Sequence, residues 1–564
     1  MIKKVLLFFF LGFTLNVLAQ VTNEGTPASW DLVQAKTSFT AIDLDEVDIQ
    51  QVKKEDEVND EIRTKPYRIG ISQKVDYGLS NSGVWTELAN GDRIWRILFN
   101  SKNALHLSVI FDDYFLPEGG KVYLYNNDRS DLIGAYTDVL NNEKNVLSTW
   151  FVNGDELWVE YYEPKEVKGQ GRLNLATVIH GYRLGNSYQK DYQRIYEKSL
   201  GDSGDCNHDV DCPIGADFEV QRDLLKKSVA FLLMPDLSGG AFICSGTLIN
   251  NTDQDKTPYF LTADHCSGTP PSLYSMRFNW ISPNPICAGL TNSSDSEDEF
   301  IMTGATLKAN NTASDVMLVE LNNPIPNNWD VTFAGWDKTD VLPSYVVGIH
   351  HPQGDIMKIS RDDTGPIKAN HSINGSPSVA TWEITTSGGG WEIGVTEGGS
   401  SGSALFDPNG RIIGQLFGGG ASCLDPPNQT SNNGALDFYG RFAMSWDTGT
   451  TQATRLKEWL DPANSNPNTL DALENVLAVN DEFLEQHITV FPNPTTGIVQ
   501  VKTSGLVGEL NYSIYNVLGQ AIQSKTLNNQ ESIQLGNLPN DIYFIKITEV
   551  DTNKVLVKKI VLSK

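Results

Sequence analysis

Gly398-Gly399-Ser400-Ser401-Gly402-Ser403-Ala404-Leu405-Phe406 is the stretch on which the fold turns. Two serines sit among small residues, and an apolar strand-like run, Arg411-Ile412-Ile413-Gly414-Gln415-Leu416, follows. Glycine lets a backbone turn tightly and bring its N–H groups close to a bound group. A nucleophilic serine needs that setting: an exposed hydroxyl, with amides facing the oxyanion that forms on attack. The same letters suit an ordinary Gly/Ser-rich hairpin loop, so the rest of the chain must decide.

Gly398 to Gly402 spells Gly-x-Ser-x-Gly, a nucleophile elbow with Ser400 as the nucleophile. That elbow needs a helix after the serine and a catalytic histidine downstream. Here a strand follows, and the only downstream histidine is His487. The order His, Asp, Ser fits instead. His265 closes an apolar strand, Tyr259-Phe260-Leu261-Thr262-Ala263-Asp264-His265-Cys266. Asp315 stands at the mouth of another, Ser314-Asp315-Val316-Met317-Leu318-Val319-Glu320-Leu321. Singly these read as a packed histidine and a turn-capping aspartate. Together they supply a base, a carboxylate to orient it, and a nucleophile.

Outward from these motifs, 564 residues suggest about three or four domains. A hydrophobic share of 40% fits globular domains and excludes a disordered chain. The net charge is −27 with no basic stripe, which argues against nucleic acid as a partner and favours cationic substrates. Lys3-Lys4, the apolar run from Val5, and Val17-Leu18-Ala19 read as a signal peptide over residues 1–19. No later stretch is apolar enough for a membrane span. All six cysteines fall between Cys206 and Cys423, which suggests three disulfides in one exported domain. Without a Cys-x-x-Cys or a paired Cys/His spacing, no metal site or other cofactor is expected.

Residues 20–200 read as a pro-peptide: a polar lead-in to about 65, a β-sandwich over about 67–162, and a polar linker from 165 that ends in Lys198-Ser199, a candidate processing point. The sandwich calls on Arg93 to Phe99, Lys121 to Tyr125 and Glu156 to Tyr162. Residues 201–462 carry the cysteines in many short strands, with helices expected only near Asp217 to Leu225 and Ala453 to Leu460. An acidic Asn/Pro-rich linker covers 463–487, and 488–564 form a small β-domain.

Cys244-Ser245-Gly246-Thr247-Leu248-Ile249-Asn250, Thr262-Ala263-Asp264-His265-Cys266, the Asp315 run and Gly399-Ser400-Ser401-Gly402-Ser403-Ala404 resemble chymotrypsin-fold serine endopeptidases, and in particular the bacterial lysyl endopeptidase branch. The likeness extends through Cys206 to Pro213, Ala334 to Asp337, His350-His351-Pro352 and Arg455 to Pro462. It implies an all-β fold of two six-stranded barrels with the triad His265, Asp315 and Ser401 in the cleft between them. It also implies an oxyanion hole from the N–H groups of Gly399 and Ser401, and disulfides Cys206–Cys423, Cys212–Cys287 and Cys244–Cys266. The family's acidic pocket residue matches Asp437 in Asp437-Phe438-Tyr439-Gly440-Arg441, whereas the trypsin position six before the nucleophile holds Val395. Glu397 is a lesser pocket candidate. A family tryptophan matches Trp382, and the histidine it stacks on is here Phe417, so arginine is admitted beside lysine. The family's His350-His351 pair is structural.

Phe491-Pro492-Asn493-Pro494-Thr495-Thr496-Gly497, Tyr515 to Gln520 and Lys558 to Leu562 resemble the C-terminal sorting domain of type IX secretion. The expected whole is a secreted, monomeric endopeptidase, attached to the cell surface or released. It acts on protein and peptide substrates with basic residues and has the type IX machinery as its export partner. Its rivals are a glutamyl-specific protease and an inactive protease-like adhesin.

Overall fold

The computed structural model describes residues 25–32, 39–61, 65–184, 203–289, 293, 300–327, 329–384, 390–424, 431–475, 484, 487–503, 510–516, 521–527, 532–549 and 555–564. The signal peptide, the Lys198-Ser199 junction, the start of the cysteine-bearing domain at 201 and Val517 to Gln520 lie outside the described residues. The chain divides into two compact units, Met1–Asn475 and Val476–Lys564.

The first unit opens with a sandwich of strands. Arg93–Asn100, Glu156–Glu163, Lys121–Tyr125 and Leu132–Tyr136 make one sheet; Tyr67–Gly78, Arg172–Gly181 and His106–Phe115 make the facing one. Alternation puts Trp95, Ile97, Phe99, Val122, Leu157 and Val159 into a core shared with Val109, Phe111, Leu175 and Ile179 of the opposite sheet. Two features depart from the sequence reading. Arg172–Gly181, placed in a polar linker, pairs on both edges, with Tyr67–Gly78 and His106–Phe115. Its Leu173, Leu175, Val178 and Ile179 are buried, so the sandwich runs on past 162. Ile49–Asn59, read as a polar lead-in, is a helix capped by the Asp48 carboxylate on the Gln51 N–H at 3.0 Å. Buried Asp56 accepts from Arg68 Nε at 2.9 Å and from the Tyr182 hydroxyl at 2.5 Å. Long-range ion pairs hold this helix, so no apolar period announces it.

Two barrels follow. In the first, the strand order is Phe300–Thr303, Ser275–Phe278, Val229–Asp236, Gly240–Leu248, Tyr259–Ala263, Val316–Leu321, Ala305–Asn311. Its first and last members are one strand bent at Gly304, so the order closes on itself around Phe260, Met276, Phe278, Met317 and Val319. The second runs Lys358–Asp362, Val346–His350, Ala404–Phe406, Ile412–Gly419, Asp437–Arg441, Val379–Ile384, Ile367–His371 and closes in the same way through residues 363–366. This is the all-β chymotrypsin-like fold.

The expected helices are present at Glu219–Leu225 and Lys457–Leu460, and a third, Phe442–Asp447, was not foreseen. Its Phe442 and Trp446 pack on Trp336. The segment read as linker from 463 stays on the barrels as far as Asn475: Leu470 pairs with Trp336, Leu473 with Phe333, and Asn475 Nδ2 donates to Pro326 O at 2.7 Å.

The second unit holds a three-stranded and a four-stranded sheet around Val499, Tyr512, Ile545, Leu556 and Ile560. Asn493 of the Pro-Asn-Pro motif clamps the last strand: its Nδ2 donates to Lys559 O at 2.5 Å, and its Oδ1 accepts from Val561 N at 2.8 Å. No helix of the described residues is long and apolar enough to cross a membrane.

Candidate active site

His265 leaves the first barrel just past Tyr259–Ala263, which pairs with Val316–Leu321 so that Ala263 faces Val316. That register carries Asp315 to the histidine. The His265 Nδ1–H donates to Asp315 Oδ2 at 2.8 Å, and the His265 backbone N–H donates to Oδ1 at 3.0 Å. Asp315 takes a left-handed backbone (φ 52°), and its carbonyl accepts from Asp264 N at 3.0 Å and from Gln415 Nε2 at 3.1 Å. Gln415 belongs to the second barrel, so the Asp315 backbone is braced from both. Burial pushes the Asp315 carboxyl up, and His265 pulls it back. Among the described residues, His265 Nε2 is buried without a partner.

The serine loop comes from the other barrel and is pressed against the histidine's strand. A side chain on Gly402 would meet Thr262 Oγ1 at 2.2 Å and Ala263 N at 2.7 Å, so only glycine permits this approach. Ser245 fixes the loop, its N–H donating to Ser401 O at 2.8 Å and its hydroxyl to Gly399 O at 2.9 Å. Gly399 sits at φ +91°. The N–H groups of Gly399 and Ser401 find no acceptor among the described residues, and Ser401 stays 8% exposed. By contrast Ser400, the elbow's choice, is buried, with its hydroxyl on His350 Nδ1 at 2.8 Å. His350 bonds Ser360 Oγ at 2.9 Å through its other nitrogen, and His351 Nδ1 donates to Asp355 O at 2.9 Å.

Beside Ser401 lies a cavity lined by Gly418, Gly419 and Asp437 on one side and by Asp60, Lys65 and Tyr67 on the other. Asp437 is buried; its Oδ2 accepts from Trp391 Nε1 at 2.8 Å and Thr396 Oγ1 at 2.7 Å, and its Oδ1 from Ala421 N at 3.3 Å. Trp391 and Thr396 escaped the sequence reading. They sit 46 and 41 residues from Asp437 and share no motif with it. Glu397 holds the start of the cysteine-bearing domain, accepting from Gly204 N and Asn207 Nδ2, each at 2.9 Å.

The tryptophan expectation needs correction. Trp382 does not line this cavity: it is core, with Nε1 donating to Ile413 O at 2.8 Å. Its strand register faces it to Tyr439. Phe417 instead meets the His265 ring edge-on, centroids 6.5 Å apart. The six cysteines pair as Cys206–Cys423, Cys212–Cys287 and Cys244–Cys266. The His/Cys groupings at His208 and His265 therefore offer no thiolate to a metal.

The chymotrypsin-like double barrel defines the class of protein. More particularly, residues 200–440 match the family described as lysyl endopeptidase, C-terminal domain, and residues 489–563 match the secretion system C-terminal sorting domain. The chain is thus a secreted one. A curated relative, the lysyl endopeptidase of Pseudomonas aeruginosa, is 27% identical over 301 residues, 52% of this chain. The match spans 61% of that relative's length. A solved structure titled "Structure of GrC" matches 42% of this chain and 93% of its own at 11% identity and a TM-score of 0.24, a likeness that carries no argument.

Proposed function

We propose that this protein is a serine endopeptidase that cuts after lysine, and after arginine as well. The observation that carries the reading is the bond from His265 Nδ1 to buried Asp315, which leaves Nε2 without a partner among the described residues. In this reading Ser401 Oγ attacks the substrate carbonyl carbon while His265 Nε2 takes its proton. Negative charge gathers on the carbonyl oxygen, which accepts from the Gly399 and Ser401 N–H groups. The C–N bond then breaks, and the leaving amine takes the proton from His265. Water, deprotonated by the same imidazole, hydrolyses the acyl ester. Asp315 holds the imidazole in the tautomer that exposes Nε2 as acceptor and stabilises the imidazolium. Asp437 gives a cationic side chain its counter-charge at the end of the cavity beside Ser401.

Reaction with a fluorophosphonate tests the chemistry: the label lands on Ser401 and is lost in the Ser401→Ala protein. Label elsewhere, or none on the processed enzyme, sinks it. Cleavage near Lys198-Ser199 is autocatalytic in this reading, so Ser401→Ala protein made without other proteases stays uncut.

A further inference from the structure

Three successive residues of the strand Ile412–Gly419 each touch one part of the site. Gln415 Nε2 donates to Ser314 O at 2.7 Å and to Asp315 O at 3.1 Å. Leu416 holds the serine loop through its backbone: its N–H donates to Ser403 O at 2.8 Å, and its carbonyl accepts from Gly402 N at 2.9 Å. The Phe417 ring meets His265. One strand of the second barrel thus sets the nucleophile's loop against the histidine and the aspartate of the first.

The Gln415 contact is the most demanding of the three. Its side chain is fully buried, and both of its partners are carbonyls, so only the NH2 end of the amide can face them. The two carbonyls belong to the peptide groups on either side of the Asp315 Cα. Only φ and ψ of Asp315 lie between them, so one NH2 group fixes both torsions. Asp315 stands at φ 52°, in the left-handed region that a residue with a Cβ keeps only where its surroundings impose it. A change in either torsion swings the carboxylate away from the two His265 N–H groups it serves. Glycine keeps the passage for the amide open: a side chain on Gly440 would meet Gln415 Nε2 and Ser314 O, each at 2.3 Å. Gln415 Oε1 finds no partner among the described residues. A buried amide with an unmet acceptor costs stability that an apolar side chain of the same length would not. What the glutamine adds at this position is its pair of N–H bonds.

We propose that Gln415 is a positioning residue of the triad: from the second barrel it holds the Asp315 backbone, and so the carboxylate that orients His265. This rests on the protease reading above.

The test is a double-mutant cycle on the full chain, with Gln415→Met, Asp315→Asn, both together, and the parent. Met keeps the length of the side chain and removes its N–H groups. Each protein is matured with immobilised parent enzyme, which is then removed. The rate of Ser401 labelling by a fluorophosphonate is measured per reacting site, and kcat and KM on a lysyl amide are measured for the parent and Gln415→Met. A small misplacement of a catalytic group costs up to about 100-fold. Gln415→Met is therefore expected to lower kcat and the labelling rate about 10–100-fold, with KM within about twofold. In the Asp315→Asn background the same change is expected to cost less than about threefold, because the carboxylate that Gln415 positions is already gone. A labelling rate per site equal to the parent's, with only fewer sites reacting, overturns the inference, since the role is then structural. So does a loss that is as large in the Asp315→Asn background as in the parent. If Gln415→Met yields no folded protein, Gln415→Asn, whose shorter amide cannot span both carbonyls, is put through the same cycle with the same two outcomes. If the parent does not label, or Asp315→Asn labels as fast as the parent, the protease reading itself fails, and the inference with it.

Discussion

His265 and Asp315 are joined twice, through the imidazole Nδ1–H at 2.8 Å and through the histidine's own backbone N–H at 3.0 Å, so the carboxylate fixes both the ring and the chain that carries it. The second bond does not depend on the charge of the imidazole. An Asp315→Asn protein keeps the shape but can present an N–H where an acceptor is needed. A fall of about 10⁴ in kcat is expected, with KM little changed. Steady-state kinetics on a lysyl amide measure it; a fall below tenfold rejects the orienting role.

Asp437 meets Trp391, Thr396 and Ala421 through hydrogen bonds that all end on its carboxylate. Replacing it with Asn preserves the volume and removes the counter-charge. Loss of one partner of a buried charge pair costs about 2–5 kcal/mol. The kcat/KM for lysyl substrates should fall on the order of 10²–10³-fold, while fluorophosphonate labelling stays within a few-fold. Unchanged lysine preference would show that another group sets specificity.

Gly419 closes against the same carboxylate: a side chain there would stand 2.0 Å from Asp437 Oδ1. Gly419→Ala is expected to raise KM for lysyl substrates while leaving reaction with a small fluorophosphonate intact. Equal losses in both measurements would mean that the change disturbs the barrel and not the pocket alone.

How much of this was legible beforehand follows from how far apart the partners sit. His265 and Asp315 each end an apolar strand, and Ser401 sits in a short run of small residues, so chain order alone suggested the site. The helix Ile49–Asn59 was hidden because Asp56 finds Arg68 and Tyr182 only in three dimensions. Trp391 and Thr396 were hidden for the same reason. Trp382 was placed in the pocket by likeness, but its indole N–H is spent on Ile413 O inside the barrel. The part of the N-terminal domain that reaches the cleft carries no motif; the pairing of Tyr67 with Ile243 and the cavity that Tyr67 lines reveal it.

His350 sits buried between Ser400 Oγ and Ser360 Oγ, and burial holds its pKa down at about 3. The unfolded chain binds this proton from about pH 6.5 downward, whereas the folded one refuses it until about 3. Stability from this group is therefore complete above about 6.5 and is lost on acidification, at up to about 1.4 kcal/mol per pH unit. In His350→Gln the fall in urea-unfolding free energy from pH 6.5 to 4.5 should be shallower by roughly that slope. An identical slope in both proteins contradicts the neutral buried histidine.

The central claim, cleavage after lysine by Ser401, is most directly tested by sequencing the peptides that the processed enzyme releases from a mixed protein digest, with the Ser401→Ala protein beside it. The account predicts cuts clustered after lysine, with a smaller share after arginine, and none from Ser401→Ala. Cuts after glutamate or large apolar residues, or cutting that survives Ser401→Ala, would contradict it.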